Sequence, residues 1–323
     1  MNQLFIGFVV EAGKLEHMAL ALARSIRTFA GPVKDCPVYA VHPAHKPLPG
    51  MDTITALTKL NVIFISHDLN HSFRGDHPGD RIANKTFASA FLEEHLEASS
   101  GTLLFLDTDT LVLNHLTELI LDETTDCAVK PVDVRNIGIP WGDNPDQFWR
   151  EIYLMADAAG RYRTFRVETT VDNLPICSYF NSGVIAVNPG KNILRYWASR
   201  TEEMARRRDF FSELTPAQLF HRNQALFASC LTTRIDEDRI RILPARFNYP
   251  FHFHTQMQPS DRIERLDLIN ILHYHDHFLK NTWRNEISIS SHLTDWINTH
   301  VVRGPDQNRS PAGTSAPGGP SPV

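Results

Sequence analysis

Asp107 and Asp109 stand one residue apart at the end of an apolar run, LLFLDTDTLVL over residues 103–113. On an extended chain, side chains two positions apart point the same way. The pair can therefore present two carboxylates to one hard divalent cation, with phosphate oxygens filling the rest of its shell. Two solvated turn aspartates have the same spacing. The apolar lead-in favours the cation, because burying two carboxylates without a counter-charge is costly. Arg81 and Lys85 precede this strand and lie four residues apart, on one helical face. By spacing alone they read as a solvated helix edge. Asn181 sits between Phe180 and the pair Ser182-Gly183. An amide in such apolar surroundings must find polar partners, and the glycine allows close approach of the backbone.

These residues need elements to deliver them, and the pattern supplies strands alternating with helices. Short apolar runs at residues 4–10, 38–41, 62–65 and 103–106 read as strands. Leu15, Met18, Leu22, Ile26 and Phe29 recur at helical spacing, and a second helix is predicted over 81–97. Residues 133–175, with several Pro and Gly and one predicted helix at 146–159, read as an excursion from the sheet. A strand at 183–187, helices at 192–206 and 216–231, and strands at 240–243 and 268–272 follow. Thr215, Pro216 and Gln218 form a helix start signal at the second of these helices. Such alternation predicts an α/β fold: a mostly parallel, twisted sheet flanked by helices. A strand that stops at a carboxylate then places it where open α/β sheets bind ligands.

Composition bounds the function. The chain has 323 residues, 42% hydrophobic and 21% charged, with a formal net charge of −5. That is globular composition, with no basic excess to call for nucleic acid. No apolar stretch reaches membrane-spanning length and no signal peptide is evident. Cys36, Cys127, Cys177 and Cys230 form no CxxC pair. They fit reduced thiols, and hence a cytoplasmic protein, better than structural zinc or a disulfide framework. Residues 304–323, rich in Pro, Gly and Ser, are expected to be a disordered tail behind one domain over 1–303.

Four segments, in order, resemble the GT-A glycosyltransferases, and among them glycosyltransferase family 8, the group of glycogenin and the lipopolysaccharide galactosyltransferases. Asp107-Thr108-Asp109 is similar to the family's DxD motif. YFNSGVIAVN at 179–188 is similar to its FNAGVxxxN segment. Asn223-Gln224, followed by Ala225 and Leu226, is similar to its DQ-x-L helix. HYHDHFLKNTW at 273–283 is similar to its closing H-F-x-G-x-x-K-P-W. The likeness spans about residues 1–285. It implies a GT-A domain that transfers a sugar from a nucleotide diphosphate sugar, a UDP-sugar, with retention. Asp107, Asp109 and His273, with His275 as the alternative, would hold Mn²⁺ or Mg²⁺, and a nitrogen ligand shifts preference toward Mn²⁺. Arg81, Lys85, Thr108, Ser182, Gly183 and Lys280 would contact the donor, with Asn181, Asn223 and Gln224 around the reacting centre.

The sequence departs from that pattern in two places. Asn223 stands where the family has Asp, and an amide cannot act as a carboxylate base or as an acceptor-only group. The closing segment lacks the family's Gly and Pro, and Lys280 is seven residues after His273 and five after His275 rather than six. The acceptor, a carbohydrate, glycolipid, protein or small molecule, would bind the excursion. Trp141, Phe148, Trp149, Tyr153 and Tyr162 can stack on sugars there, and Arg161, Arg163 and Arg166 can pair with anions. Core packing is the competing role for Phe148, Trp149 and Tyr153. Two other functions compete. One is a Mg²⁺-dependent phosphatase with Asp107 as nucleophile, resembling the haloacid-dehalogenase-like DxDxT pattern, although residue 111 is Leu and Thr110 comes one place early. The other is a sugar-nucleotide-binding protein without turnover.

Overall fold

The structure, a computed structural model, describes residues 3–73, 82–157, 164–280 and 282–302. Arg81, Arg161, Tyr162, Arg163 and the tail at 304–323 lie outside the described residues. In chain order the elements are β1 (Gln3–Val9), α1 (Lys14–Phe29), β2 (Val38–Pro43), α2 (Met51–Lys59), β3 (Val62–His67) and α3 (Ala83–His95). β4 (Gly101–Leu106), β5 (Thr110–Val112), β6 (Cys127–Pro131), α4 (Gln147–Met155), β7 (Arg166–Glu168), β8 (Pro175–Cys177) and β9 (Phe180–Val187) follow. The rest are α5 (Ile193–Arg206), α6 (Arg208–Ser212), α7 (Pro216–Arg234), β10 (Ile240–Ile242), β11 (Tyr249–Pro250), β12 (Ile271–His273) and α8 (Ser291–Ile297).

Seven strands form the main sheet in the order β10-β6-β9-β4-β1-β2-β3. β3, β2, β1 and β4 are parallel, as is β10 with β6, while β9 runs antiparallel between β4 and β6. The central strands are buried on both faces because their side chains alternate into two cores. Phe5, Leu103, Phe105, Ile185 and Val187 meet α3, α4, α5 and α7 on one side. Leu4, Ile6, Phe8, Leu104, Leu106 and Val184 meet α1 and α2 on the other. Gly7 suits this packing, since a Cβ there would lie 2.3 Å from Leu92 Cδ1, which would have to shift. A small second sheet, β11-β12-β5, joins a third core built with α8.

The predicted α/β architecture is the observed one, and the helix start at Thr215 holds, with its hydroxyl and Gln218 capping reciprocally. The strand expected at 268–272 is corrected. Residues Leu266–Leu268 form a 3-10 turn with Leu268 exposed, and β12 begins only at Ile271. Sequence reasoning did not anticipate α2, β5, β6 or α8. The reasons are physical: α2 is short and carries three Thr, and β6 hides Lys130 inside an otherwise apolar strand.

Candidate active site

The chain lays down β1, β2 and β3 in one direction, then returns to place β4 on the other side of β1. That reversal opens a crevice at the carboxyl ends of β1 and β4, the place where doubly wound sheets bind ligands. Glu11 and the Asp107–Asp109 turn stand at its mouth, tied together by the Thr108 hydroxyl, which donates to the Val9 carbonyl at 2.7 Å. Because β9 is antiparallel to β4, its first residues, not its last, arrive here. The Asp107 N–H donates to the Gly183 carbonyl at 2.8 Å. β5 then leaves the aspartates and pairs antiparallel with β12, setting His273 opposite Thr110. The Tyr274 N–H donates to the Asp109 carbonyl at 3.1 Å. The cleft so formed is about 710 Å³.

Lys85 reaches Asp107 at 2.8 Å and also donates to the Ser182 hydroxyl at 3.1 Å. His273, only 5% exposed, places Nε2 3.3 Å from Asp109 and 4.0 Å from Asp107, yet among the described residues that nitrogen makes no well-angled hydrogen bond. His275 Nδ1 lies 2.7 Å from the other Asp109 oxygen, its backbone in the left-handed region at φ 47°. Ligand atoms from Asp109, His273 and His275 all lie within 4.8 Å of one another. The structure therefore brings both candidate histidines to the same carboxylate. Burial opposes ionisation of Asp109, but His273 and His275 outweigh it and hold its carboxyl well below the usual range. Burial likewise pushes the His273 imidazole down, and Asp109, Asp107 and Asp133 more than reverse this, so its proton affinity is raised. His252, also in the cleft, is pushed down to about 4 by burial and by His275.

Oxygen from Asp109 and nitrogen from His273 and His275, gathered at one carboxylate, are donors that a divalent cation can take, and Asp107 lies 4.0 Å from the His273 nitrogen. The residues present fit the metal.

Gln224 lines the cleft. Its Oε1 accepts from the Ser182 N–H at 3.3 Å and its Nε2 donates to the Tyr179 hydroxyl at 3.0 Å. Asn223 does not line the cleft: it is 1% exposed, donates to Thr86 at 3.4 Å and leaves its Oδ1 without a hydrogen bond. Lys280 is exposed and outside the cleft lining, whereas Lys14, paired with Asp276, lies within it. Asn181, Ser182 and Thr108 line the cleft, and Gly183 backs it. Phe148, Trp149 and Tyr153 are buried in the core, whereas Trp141 is 46% exposed and is not among the residues that line the cleft.

Sequence reasoning missed Glu11, Lys14, Asp133, Asn248 and His252. Asp133 carried a readable signal, since it follows an apolar strand just as Asp107 does. Asn248 carried none, because its importance comes from contacts 67 and 25 residues distant in sequence.

Fold and site together define a glycosyltransferase of the GT-A type. A family model, the Rhodobacterales glycosyltransferase domain, matches residues 6–219, and the chain belongs to that family. This makes it an enzyme of glycosyl transfer and displaces the phosphatase alternative. Among solved structures, an active-site mutant of LgtC is similar at 16% identity, covering 94% of this chain and 98% of that one with a TM-score of 0.52. The galactosyltransferase LgtC in complex with donor and acceptor sugar analogs is similar at 13% identity, with the same coverage and a TM-score of 0.49. The glycosyltransferase GlyE of Streptococcus pneumoniae is similar at 14% identity, covering 93% of this chain and 61% of that one, TM-score 0.47. No curated protein sequence matches the chain. Among the described residues, no helix is long and apolar enough to cross a membrane.

Proposed function

We propose that this glycosyltransferase is metal-dependent, takes its sugar from a UDP-sugar and transfers it with retention. The observation that carries the reading is the buried Nε2 of His273, unpartnered and facing both Asp109 and Asp107. Asp107, Asp109 and His273 would hold Mn²⁺ or Mg²⁺, and His275 stands close enough to join them. The cation supplies charge neutralisation for the departing nucleotide diphosphate. Lys85 sets Asp107 and, with Ser182, offers a positive charge toward the phosphates. Lys14 takes over the cleft position that the sequence pattern gave to Lys280.

Retention is supported by the state of the cleft carboxylates. An inverting transferase needs one of them as a general base. Here Glu11 accepts from Asn84, Asp107 and Asp109 face Lys85 and the histidines, Asp133 is paired with Lys130, and Asp276 with Lys14. Four of these five carboxylates thus face a cation or a histidine, and Glu11 is held by a neutral amide at one oxygen. Gln224, clamped between Ser182 and Tyr179, presents its amide beside the reacting sugar, and Asn181 lines the same wall. Asn223 acts from behind, as support for Gln224. The acceptor enters past Asp133 and Asn136 of the excursion, which line the cleft, and is a carbohydrate, glycolipid, protein or small molecule. Four free thiols fit a cytoplasmic setting.

The test is nucleotide diphosphate release from a panel of nucleotide sugars, with Mn²⁺, with Mg²⁺ and with EDTA. Release from a UDP-sugar that stops with EDTA and in Asp107→Asn and Asp109→Asn is the expected result. Release that EDTA leaves untouched would overturn metal dependence. Mn²⁺ and UDP binding without turnover on any donor or acceptor would favour the non-catalytic alternative.

A further inference from the structure

The hydrogen bonds behind His273 have a direction that the backbone sets. The Gly183 N–H lies 2.7 Å from one end of the Asn181 amide. A backbone N–H can only donate, so that end is the oxygen. Asn248 meets the same oxygen at 3.1 Å, so the atom it offers is its own NH₂. The oxygen of Asn248 therefore faces His273, 3.0 Å from Nδ1. An amide oxygen can only accept, so the hydrogen of the neutral ring is on Nδ1 and the lone pair on Nε2, the atom beside Asp109 and Asp107. At the far end, the Asn181 NH₂ donates to Asp133 at 3.2 Å, and Asp133 is held by Lys130. Asn248 is 1% exposed and His273 5%, so bulk water does not compete for these bonds. The packing is tight as well: a Cβ on Gly183 would fall 2.7 Å from the His273 ring and 3.0 Å from the Asn181 oxygen.

We propose that Asn248 is a positioning residue of the metal centre. It holds His273 in the tautomer and ring orientation that present Nε2 to the cation, and through Asn181 it links the metal side of the cleft to Asp133 on the acceptor side. This inference rests on the metal-dependent reading above.

The experiment measures Mn²⁺ binding to the purified full chain, without nucleotide, from the electron paramagnetic resonance signal of the free ion. The wild type binds Mn²⁺, and Asn248→Ala weakens binding about 10- to 100-fold, the usual effect of removing a ligand's outer partner. Asn248→Asp restores an acceptor for the Nδ1 hydrogen and recovers binding to within a few fold. A merely structural asparagine predicts the reverse order, because the aspartate adds a buried charge facing the Asn181 oxygen. Equal affinity in Asn248→Ala and wild type, or equal loss in both variants, overturns the proposal. If Asn248→Ala does not fold, the near-isosteric Asn248→Leu removes the same hydrogen bonds and is read the same way. Absence of Mn²⁺ binding in the wild type itself fails the metal reading, and the positioning role with it. Binding in the wild type with no effect at Asn248 fails this inference alone.

Discussion

At the scale of single residues, the cleft is a set of polar groups each fixed by a partner. Gln224 shows this best: a backbone donor at Ser182 and a buried hydroxyl at Tyr179 leave its amide one orientation. Gln224→Ala should therefore lower kcat roughly a hundredfold, the scale of a misplaced reacting group, while Mn²⁺ affinity stays at the wild-type value. Steady-state kinetics beside metal binding check this, and equal losses in both would show that Gln224 serves the metal instead. Asp107 and Asp109 were singled out by their spacing together with the apolar run that leads to them. His273 and His275 were legible only as alternatives, because sequence cannot show that one carboxylate faces both. Asn248 and Asp133 emerge only when strands distant in sequence are brought side by side.

At the scale of elements, two charged contacts hold helices and strands in the register that the site needs. Glu93 of α3 is fully buried, and its carboxylate accepts from the N–H groups of Ile193, Leu194 and Arg195 at 2.7–3.1 Å. It thus caps the start of α5, where the helix dipole favours negative charge. Glu93→Gln should cost about 1–3 kcal/mol, in line with losing hydrogen bonds to a charged group, read as a lower denaturant midpoint at unchanged slope. Asp126, just before β6, meets Arg239, just before β10, at 2.9 Å and Lys191, just after β9, at 3.3 Å. Burial opposes its ionisation, but those two cations prevail and hold its carboxyl below the ordinary value of 3.8. A lowered carboxyl adds stability that is complete above the unfolded value and is lost as pH falls through the folded one. Wild-type stability should therefore drop more steeply below about pH 4 than that of Asp126→Asn, as melting curves across pH would report. The long helices and central strands were readable from periodicity. β5 was not, and β12 was read three residues too early, because an element of three residues is stabilised by its partner rather than by its own pattern.

At the scale of the whole molecule, the proposed metal site joins two parts of the chain. Asp107 and Asp109 form the turn from β4 of the main sheet to β5 of the small one, while His273 ends β12 of the C-terminal segment, whose neighbours pack in the third core. A cation bound across them stabilises the folded state by mass action, about 2.7 kcal/mol at a hundredfold excess over Kd. Adding Mn²⁺ should raise Tm by several degrees, EDTA should reverse it, and His273→Ala should abolish the response. A Tm indifferent to Mn²⁺ in the wild type would argue against a site that spans the two cores.

The α/β class, the sheet-end aspartates and the four ordered motifs were determined by the sequence itself, because periodicity and residue type are local properties. Membership in a glycosyltransferase family followed from the same information. Tertiary structure alone decided that β9 runs antiparallel and so delivers Asn181 by its first residues. It also decided that Lys14 lies in the cleft while Lys280 stays outside it, that Asn223 sits behind the wall, and that Asn248 orients His273. Each of these depends on strand direction and on contacts between residues far apart in the chain, and such distances are written in packing rather than in spacing.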